Sequence, residues 1–277
     1  MISLSVIIGI DIGGSTTKIT ALKDGVLLRP SAVKATDPLA SVYGAFGKYT
    51  SENRIPISGI ERVAVTGVGS AFLTDDIYGL PTHHINEFMA TGKGGLYLTG
   101  LVRAVIVSMG TGTAMIYAHE GVAEHLGGTG VGGGTLIGLS RKMLGMSSAD
   151  EIAALAAGGS LENIDLTIEA MTKKDISPNL TAKTTASNFG NLKETAGRED
   201  IALGIINLVY ETAGMMAIFS ARQKSVTDIV LTGNLSVLPQ AKDKFRSLSE
   251  MFGVKFIIPD MSQYATVIGA ALTAKEN

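Results

Sequence analysis

One local pattern occurs twice in this 277-residue chain: an apolar run, a turn of glycine and hydroxyl residues, and a second β-rich run. In the first half, residues 6–11 lead into Gly13-Gly14-Ser15-Thr16 and return over residues 17–23. In the second half, residues 104–109 lead into Gly110-Thr111-Gly112-Thr113 and return over 114–118. One such turn is an ordinary hairpin. Two, at the start of each half, constrain the chain to a pair of related α/β lobes that each present a polar turn to a shared cleft. Glycine lets backbone N–H groups approach phosphate oxygens and the hydroxyls add donors, so two facing turns suit the two ends of a triphosphate.

The remaining pattern fits this frame. An Asp24-Gly25 turn leads to a short strand at 26–28, a helix is expected over 40–51, and strands over 60–66 and 82–85 flank a glycine turn at 67–69. The N-terminal lobe is expected to span residues 1–100 and the C-terminal lobe 101–277. In the latter, helices are expected over 135–144, 149–157, 201–222 and 240–252, with strands over 229–232 and 255–258. Residues 175–195 are polar and irregular, and read as a functional loop or connector.

Composition excludes several classes. Lys and Arg number 23 against 25 acidic residues, so no basic field favours nucleic acid as a partner. Cysteine is absent, which excludes disulfides, thiol catalysis and cysteine-held iron–sulfur clusters. The apolar run at 2–10 has no basic leader and reads as a buried strand. The apolar run at 201–222 is interrupted by Asn207 and Glu211, so no membrane insertion and a cytoplasmic location are expected.

Chemistry-bearing residues gather at the turns. Asp11 ends the first strand, where a carboxylate can hold Mg²⁺ or its water, and Lys18 supplies charge beyond Gly13, Gly14, Ser15 and Thr16. The spacing is not that of a Walker A loop. A glycine run from Gly127 to Thr135, including Gly132, Gly133 and Gly134, precedes an apolar helix and reads as a turn whose backbone donors face an anion or nucleotide. Thr232-Gly233-Asn234 ends another apolar strand and is placed to approach an adenosine.

Taken in order, Asp11 to Lys18, Gly110 to Thr113, the glycine run, Thr185-Ala186-Ser187-Asn188-Phe189-Gly190 and Val230 to Asn234 resemble the type II pantothenate kinases over nearly the whole chain. The first signature is shared with sugar kinases, actin and Hsp70 relatives. The glycine run combined with the Ala-Ser-Asn-Phe-Gly segment is more discriminating. The resemblance implies the two-lobed actin-like ATPase fold, ribonuclease H-like in each lobe, with ATP and Mg²⁺ as cofactors. It implies transfer of the ATP γ-phosphate to the primary hydroxyl of pantothenate. Glu87, in Ile85-Asn86-Glu87-Phe88, matches the family's general base. Thr111, Gly112, the Gly132 to Thr135 turn, Gly233 and Asn234 fall to the nucleotide. Thr111, Thr113, His125, Ala186 and Ser187 fall to the acceptor. A homodimer paired through the long helix at 201–222 is also implied, bringing Ser187-Asn188-Phe189 towards the partner's acceptor pocket.

One position departs from the family. His125 stands where an arginine is usual, and a neutral imidazole cannot reproduce a permanently charged guanidinium. Lys93, Arg103 and Arg141 are alternative sources of charge. The competing readings are a kinase for a sugar or other small alcohol, an activator of radical dehydratases and a non-catalytic nucleotide-binding regulator. Sugar kinases place their base in an Asn-Asp pair that is missing after the third strand, and the activators hold an iron–sulfur cluster on cysteines.

Overall fold

In the computed structural model, which describes residues 5–34, 37–172, 182 and 184–276, each half of the chain builds a mixed sheet, and the second half adds a two-stranded antiparallel pair. The first half runs β1 (Val6–Ile12), β2 (Thr16–Lys23), β3 (Val26–Leu27), β4 (Ser31–Lys34), α1 (Pro38–Glu52), β5 (Ile60–Thr66) and β6 (Thr82–His84). Its sheet order is β3-β2-β1-β5-β6, with β4 also paired to β2. β1 is buried along its whole length, so it shows a continuous apolar run rather than alternation. Ile8, Ile10 and Ile12 face α1, whose Val42, Phe46 and Tyr49 cover that side. The opposite parity packs Ile7 against α8 and sets Asp11 on the face turned to the other lobe.

The second half opens with α2 (Glu87–Thr99), β7 (Arg103–Met109), β8 (Thr113–His119), β9 (Val122–Thr129), α3 (Gly133–Leu144) and α4 (Ala149–Ala156). It continues through β10 (Leu166–Thr167), α5 (Ile168–Thr172), β11 (Thr185–Ser187), α6 (Arg198–Gln223), β12 (Asp228–Thr232), α7 (Pro239–Phe252), β13 (Lys255–Ile257) and α8 (Ala265–Glu276). The larger sheet is ordered β13-β12-β7-β8-β9. Read from the other end, it repeats the first sheet strand for strand: an antiparallel hairpin, then two parallel neighbours. The duplication seen in the turns therefore extends to the whole frame.

Between the sheets lie two crossing helices. α2 packs Gly95 on Ile106 of β7 and Gly92 on Ala118 and Ala123 of the second sheet, while α8 lies over Gly9 of β1. The helices meet backbone to backbone: a Cβ on Gly94 would stand 1.8 Å from the Ala265 carbonyl oxygen, and one on Gly269 would stand 1.7 Å from that of Ala90. Thr91 and Thr266 join their hydroxyls at 2.9 Å beside this crossing.

Sequence pattern did not predict α2 or α8. Each is covered on two sides, which removes the amphipathic period, and the glycines of α2 lower its helical propensity. The glycine run is also corrected: Gly127, Gly128 and Thr129 belong to β9, which pairs with β8 through Thr129, and only the following residues turn. Of the irregular stretch 175–195, residues 175–181 and 183 lie outside the described residues, and Thr185–Ser187 form a strand against β10. α6 is long and apolar enough to cross a membrane, with mean hydropathy 1.6 over its most apolar window, yet 61% of that window is buried inside the protein.

Candidate active site

The two polar turns meet. A Cβ on Gly14 would lie 3.7 Å from Thr111 Oγ1, so the tip of the first hairpin touches the second. Gly14 and Ser15 stay exposed at that tip, while the Gly13 amide closes the turn on the Thr16 carbonyl at 3.1 Å. Behind it, the antiparallel register sets Lys18 opposite Asp11, and the parallel register sets Thr66 beside Asp11 on the other side. All three side chains therefore share one face at the cleft.

Burial pushes the Asp11 carboxyl from its ordinary value of 3.8 up to about 6; nearby Lys18 opposes this and Glu87 adds to it. Lys18 is lowered, mainly by burial, with Asp11 and Glu87 both pulling it back up. Glu87 is itself raised by burial against the field of Lys18. The three groups thus share one field, and Glu87 is half-buried at the start of α2. Its position is set by α2, of which it is the first residue. Asn86 Oδ1 caps that helix, accepting from the Phe88 and Met89 amides at 3.0 and 3.1 Å.

Among the described residues no hydrogen bond or ion pair engages the Asp11 carboxylate. Gly67 makes room for it: this residue has φ +86°, and a Cβ there would stand 2.6 Å from Asp11 Oδ1. Among the described residues the buried Thr66 hydroxyl has no partner, whereas its counterpart Thr232 donates to the Val107 carbonyl at 3.0 Å. Lys18 Nζ donates to the Gln263 carbonyl at 2.6 Å, reaching across to the other lobe. In the second lobe the positions equivalent to Asp11 and Lys18 are Ser108 and Ala114. The frame is duplicated and its charges are not.

The second turn is braced by α3. The Gly133 and Gly134 amides donate to the Gly110 and Thr111 carbonyls, both at 2.8 Å, and Thr113 Oγ1 donates to the Val131 carbonyl at 2.8 Å. Thr135 Oγ1 donates to the Gly130 carbonyl at 3.0 Å. These two glycine amides, read from sequence as free donors for an anion, are taken up by the neighbouring turn. Gly132 is small for the same reason, since a Cβ there would lie 2.7 Å from the Gly112 backbone. Gly233, at φ +89°, sits over the end of β7 with its Cβ position 2.4 Å from the Met109 carbonyl oxygen, and exposed Asn234 follows it.

His125 on β9 stacks flat on Phe88, ring centroids 4.0 Å apart at 6°, which brings the imidazole beside the Glu87 end of α2. The other cations are placed elsewhere. Lys93 pairs with Glu276, Arg141 occupies the last turn of α3 and bonds Ser147, and Arg103 starts β7 at the end remote from Gly110. Ala186 and Ser187 are exposed and lie on β11. Their strand is held by α6, and among the described residues no hydrogen bond joins Thr185 to Gly190 with Asp11, Glu87 or Thr111. Sequence reasoning did not single out Thr66 and Gly67. Aligning Thr66-Gly67 with Thr232-Gly233, as the duplicated frame invites, is the signal that finds them.

Two matching lobes, whose polar turns meet and whose first lobe carries a carboxylate–ammonium–carboxylate group, define a two-lobed protein of the actin-like ATPase fold. Solved structures of that fold superpose on the chain. The activator of the 2-hydroxyisocaproyl-CoA dehydratase from Clostridium difficile, with bound ADPNP, covers 98% of this chain and 94% of its own at TM-score 0.69 and 18% identity. A ROK family glucokinase from Streptomyces griseus, in complex with glucose and AMPPNP, covers 98% and 100% at TM-score 0.61 and 14% identity. Among curated relatives, the type II pantothenate kinase of Bacillus cereus (strain G9842) is 28% identical over 243 residues, covering 82% of this chain and 83% of its own. The Fumble family matches residues 101–252, more than half of the sequence, and the chain belongs to it. The resemblance drawn from the motifs is borne out.

Proposed function

We propose that this chain is an ATP-dependent pantothenate kinase, transferring the γ-phosphate of ATP to the primary hydroxyl of pantothenate to give 4′-phosphopantothenate and ADP, in the cytoplasm. The observation that carries the reading is the grouping of Asp11, Lys18 and Glu87 in one field where the two polar turns meet. The relatives named as type II pantothenate kinases and the Fumble family support the acceptor. The absence of cysteine counts against the activator reading, since an iron–sulfur cluster needs such ligands.

The roles follow from position. Glu87 accepts the proton of the acceptor hydroxyl as its oxygen attacks the γ-phosphorus, and the β-phosphate oxygen leaves with ADP. A carboxyl raised by burial is a stronger base than an exposed one, and it is lost to protonation as pH falls. Lys18 sets a positive charge beside the transferring group. Gly13, Gly14, Ser15, Thr16, Thr111 and Gly112 supply amides and hydroxyls from the two turns, and Gly233 and Asn234 the approach to the adenosine. Thr113 braces the acceptor side. His125, held flat on Phe88, offers one hydrogen bond where a guanidinium would offer two and a charge.

Asp11 fits Mg²⁺. Among the described residues its buried carboxylate has no hydrogen-bond partner, it lies against Gly67, and the Thr66 hydroxyl next to it is likewise without one. Asp11 would hold Mg²⁺ there, and the ion would supply positive charge to offset that of the transferring phosphates. Ala186 and Ser187 are exposed on a strand held by α6, and they are assigned, as the family resemblance implies, to the acceptor pocket of a second copy in a homodimer.

The test is to incubate the purified protein with Mg-ATP and, separately, pantothenate, pantetheine and hexoses, and to identify products by mass. Pantothenate gaining one phosphoryl group is expected. A phosphorylated hexose with unmodified pantothenate would transfer the chain to the sugar-kinase reading.

A further inference from the structure

Two carboxylates outside the cleft have an unusual arrangement. Asp165 is 2% exposed, and both its oxygens are occupied: Oδ1 accepts from the Phe189 amide at 2.8 Å and Oδ2 from Asn207 Nδ2 of α6 at 2.6 Å. Glu211, one helical turn further along α6, accepts from Thr185 Oγ1 at 2.7 Å and from Asn188 Nδ2 at 2.8 Å, and pairs with Lys244 of α7. The segment between Thr185 and Phe189 is therefore gripped at three points by two acidic side chains. Phe189 is held at φ +58°, in the left-handed region that a non-glycine side chain rarely adopts. Its ring presses on α6 at Gly204, where a Cβ would lie 3.1 Å from Phe189 Cζ.

Within this grip, Ala186 and Ser187 are exposed. Burying a carboxylate costs stability unless every lone pair is met, and a left-handed phenylalanine adds strain. An ordinary surface turn needs neither. The arrangement makes sense if the position of the two small exposed residues has to be held closely.

We propose that Asp165 and Glu211 are positioning residues, which lock Thr185 to Gly190 in the one conformation that presents Ala186 and Ser187 to the acceptor. This rests on the kinase reading above and on the part assigned there to Ala186 and Ser187. The locked segment contributes binding to the acceptor and touches neither the nucleotide nor the transferring group. Loosening it therefore weakens acceptor binding and leaves phosphoryl transfer at saturation unchanged.

Steady-state kinetics on Glu211→Gln and Asp165→Asn, with melting curves alongside, test this. In Asp165→Asn the oxygen is needed by the Phe189 amide, so the new NH₂ meets Asn207 Nδ2 unless Asn207 flips, and adding Asn207→Asp supplies a fixed acceptor there. The expected result is an acceptor KM raised at least about tenfold in each single variant, with kcat and the ATP KM within about twofold of wild type. The acceptor KM is expected to return towards wild type in the Asp165→Asn, Asn207→Asp double variant. A purely structural role lowers melting temperature, or raises the ATP and acceptor KM together, and either pattern with no acceptor-specific effect overturns the proposal. An active wild type with a normal acceptor KM in Glu211→Gln overturns it while leaving the kinase reading intact. A wild type that phosphorylates no alcohol overturns both.

Discussion

Replacing Gly94 by alanine tests whether the crossing of α2 and α8 holds the two lobes together. On an isolated helix the change favours folding, because alanine exceeds glycine in helical propensity by about 1 kcal/mol. At this crossing the new Cβ would stand 1.8 Å from the Ala265 carbonyl oxygen, against ordinary contact at 3.4 Å and beyond. The helices would have to part by about 1.5 Å, and neither can move freely: α2 is backed by Ile106 and α8 by Gly9 of β1. Overpacking of a close-packed contact costs about 1 to 3 kcal/mol and more where backbone must shift, so a net loss of about 2 to 4 kcal/mol is expected. For a chain of this size each kcal/mol moves the melting temperature by roughly 2 to 4 °C, giving a fall of about 4 to 16 °C. Gly47→Ala is the control. It makes the same change in α1, at an exposed position with nothing within 4 Å of the new Cβ, and should raise melting slightly. Scanning calorimetry or urea titration of both variants reads the sign. If Gly94→Ala melts at or above wild type, the crossing is not close-packed and the reasoning fails.

Two further outcomes are expected at the cleft. Glu87→Gln should lower kcat by at least about a hundredfold while nucleotide affinity, measured by calorimetry with ADP, stays within about threefold; normal turnover would remove Glu87 as the base. Asp11→Asn should abolish Mg²⁺-dependent turnover and yet stabilise the metal-free protein at neutral pH. Because the folded-state value is raised from 3.8 to about 6, ionised Asp11 weakens the fold progressively as pH climbs through that window. Melting in chelator should show wild type and variant alike near pH 4 and diverging above it, by up to about 3 kcal/mol at pH 8. Curves that stay superimposed at pH 8 would show that Asp11 is not buried as a charge.

The sheets and the two turns were legible because their signals are local: β1 is a continuous apolar run, and the glycine-hydroxyl turns interrupt the pattern, whereas Glu87 was singled out by the family resemblance alone. The central helices were not legible. α2 carries Gly92, Gly94 and Gly95, which count against a helix until the backbones they admit are known, and α8 is buried on both sides and has no polar stripe. The glycine run was found but partly misread, since sequence cannot tell an amide that faces a ligand from one donated to a neighbouring carbonyl, as Gly133 and Gly134 are. Asp165 and Glu211 carry no sequence signal of their own. An acidic residue beside Ile164 and another in an apolar helix look like interruptions until the segment they hold is seen.

The unequal charging of the two lobes gives the cleft a direction. An elongated polyanion entering it finds an ammonium and titratable carboxyls at one end and neutral groups at the other. Turned end for end, the same molecule would meet Ser108 and Ala114, which offer neither the ammonium nor the carboxyl of the first lobe. A scaffold made by repetition is thereby given two unlike ends.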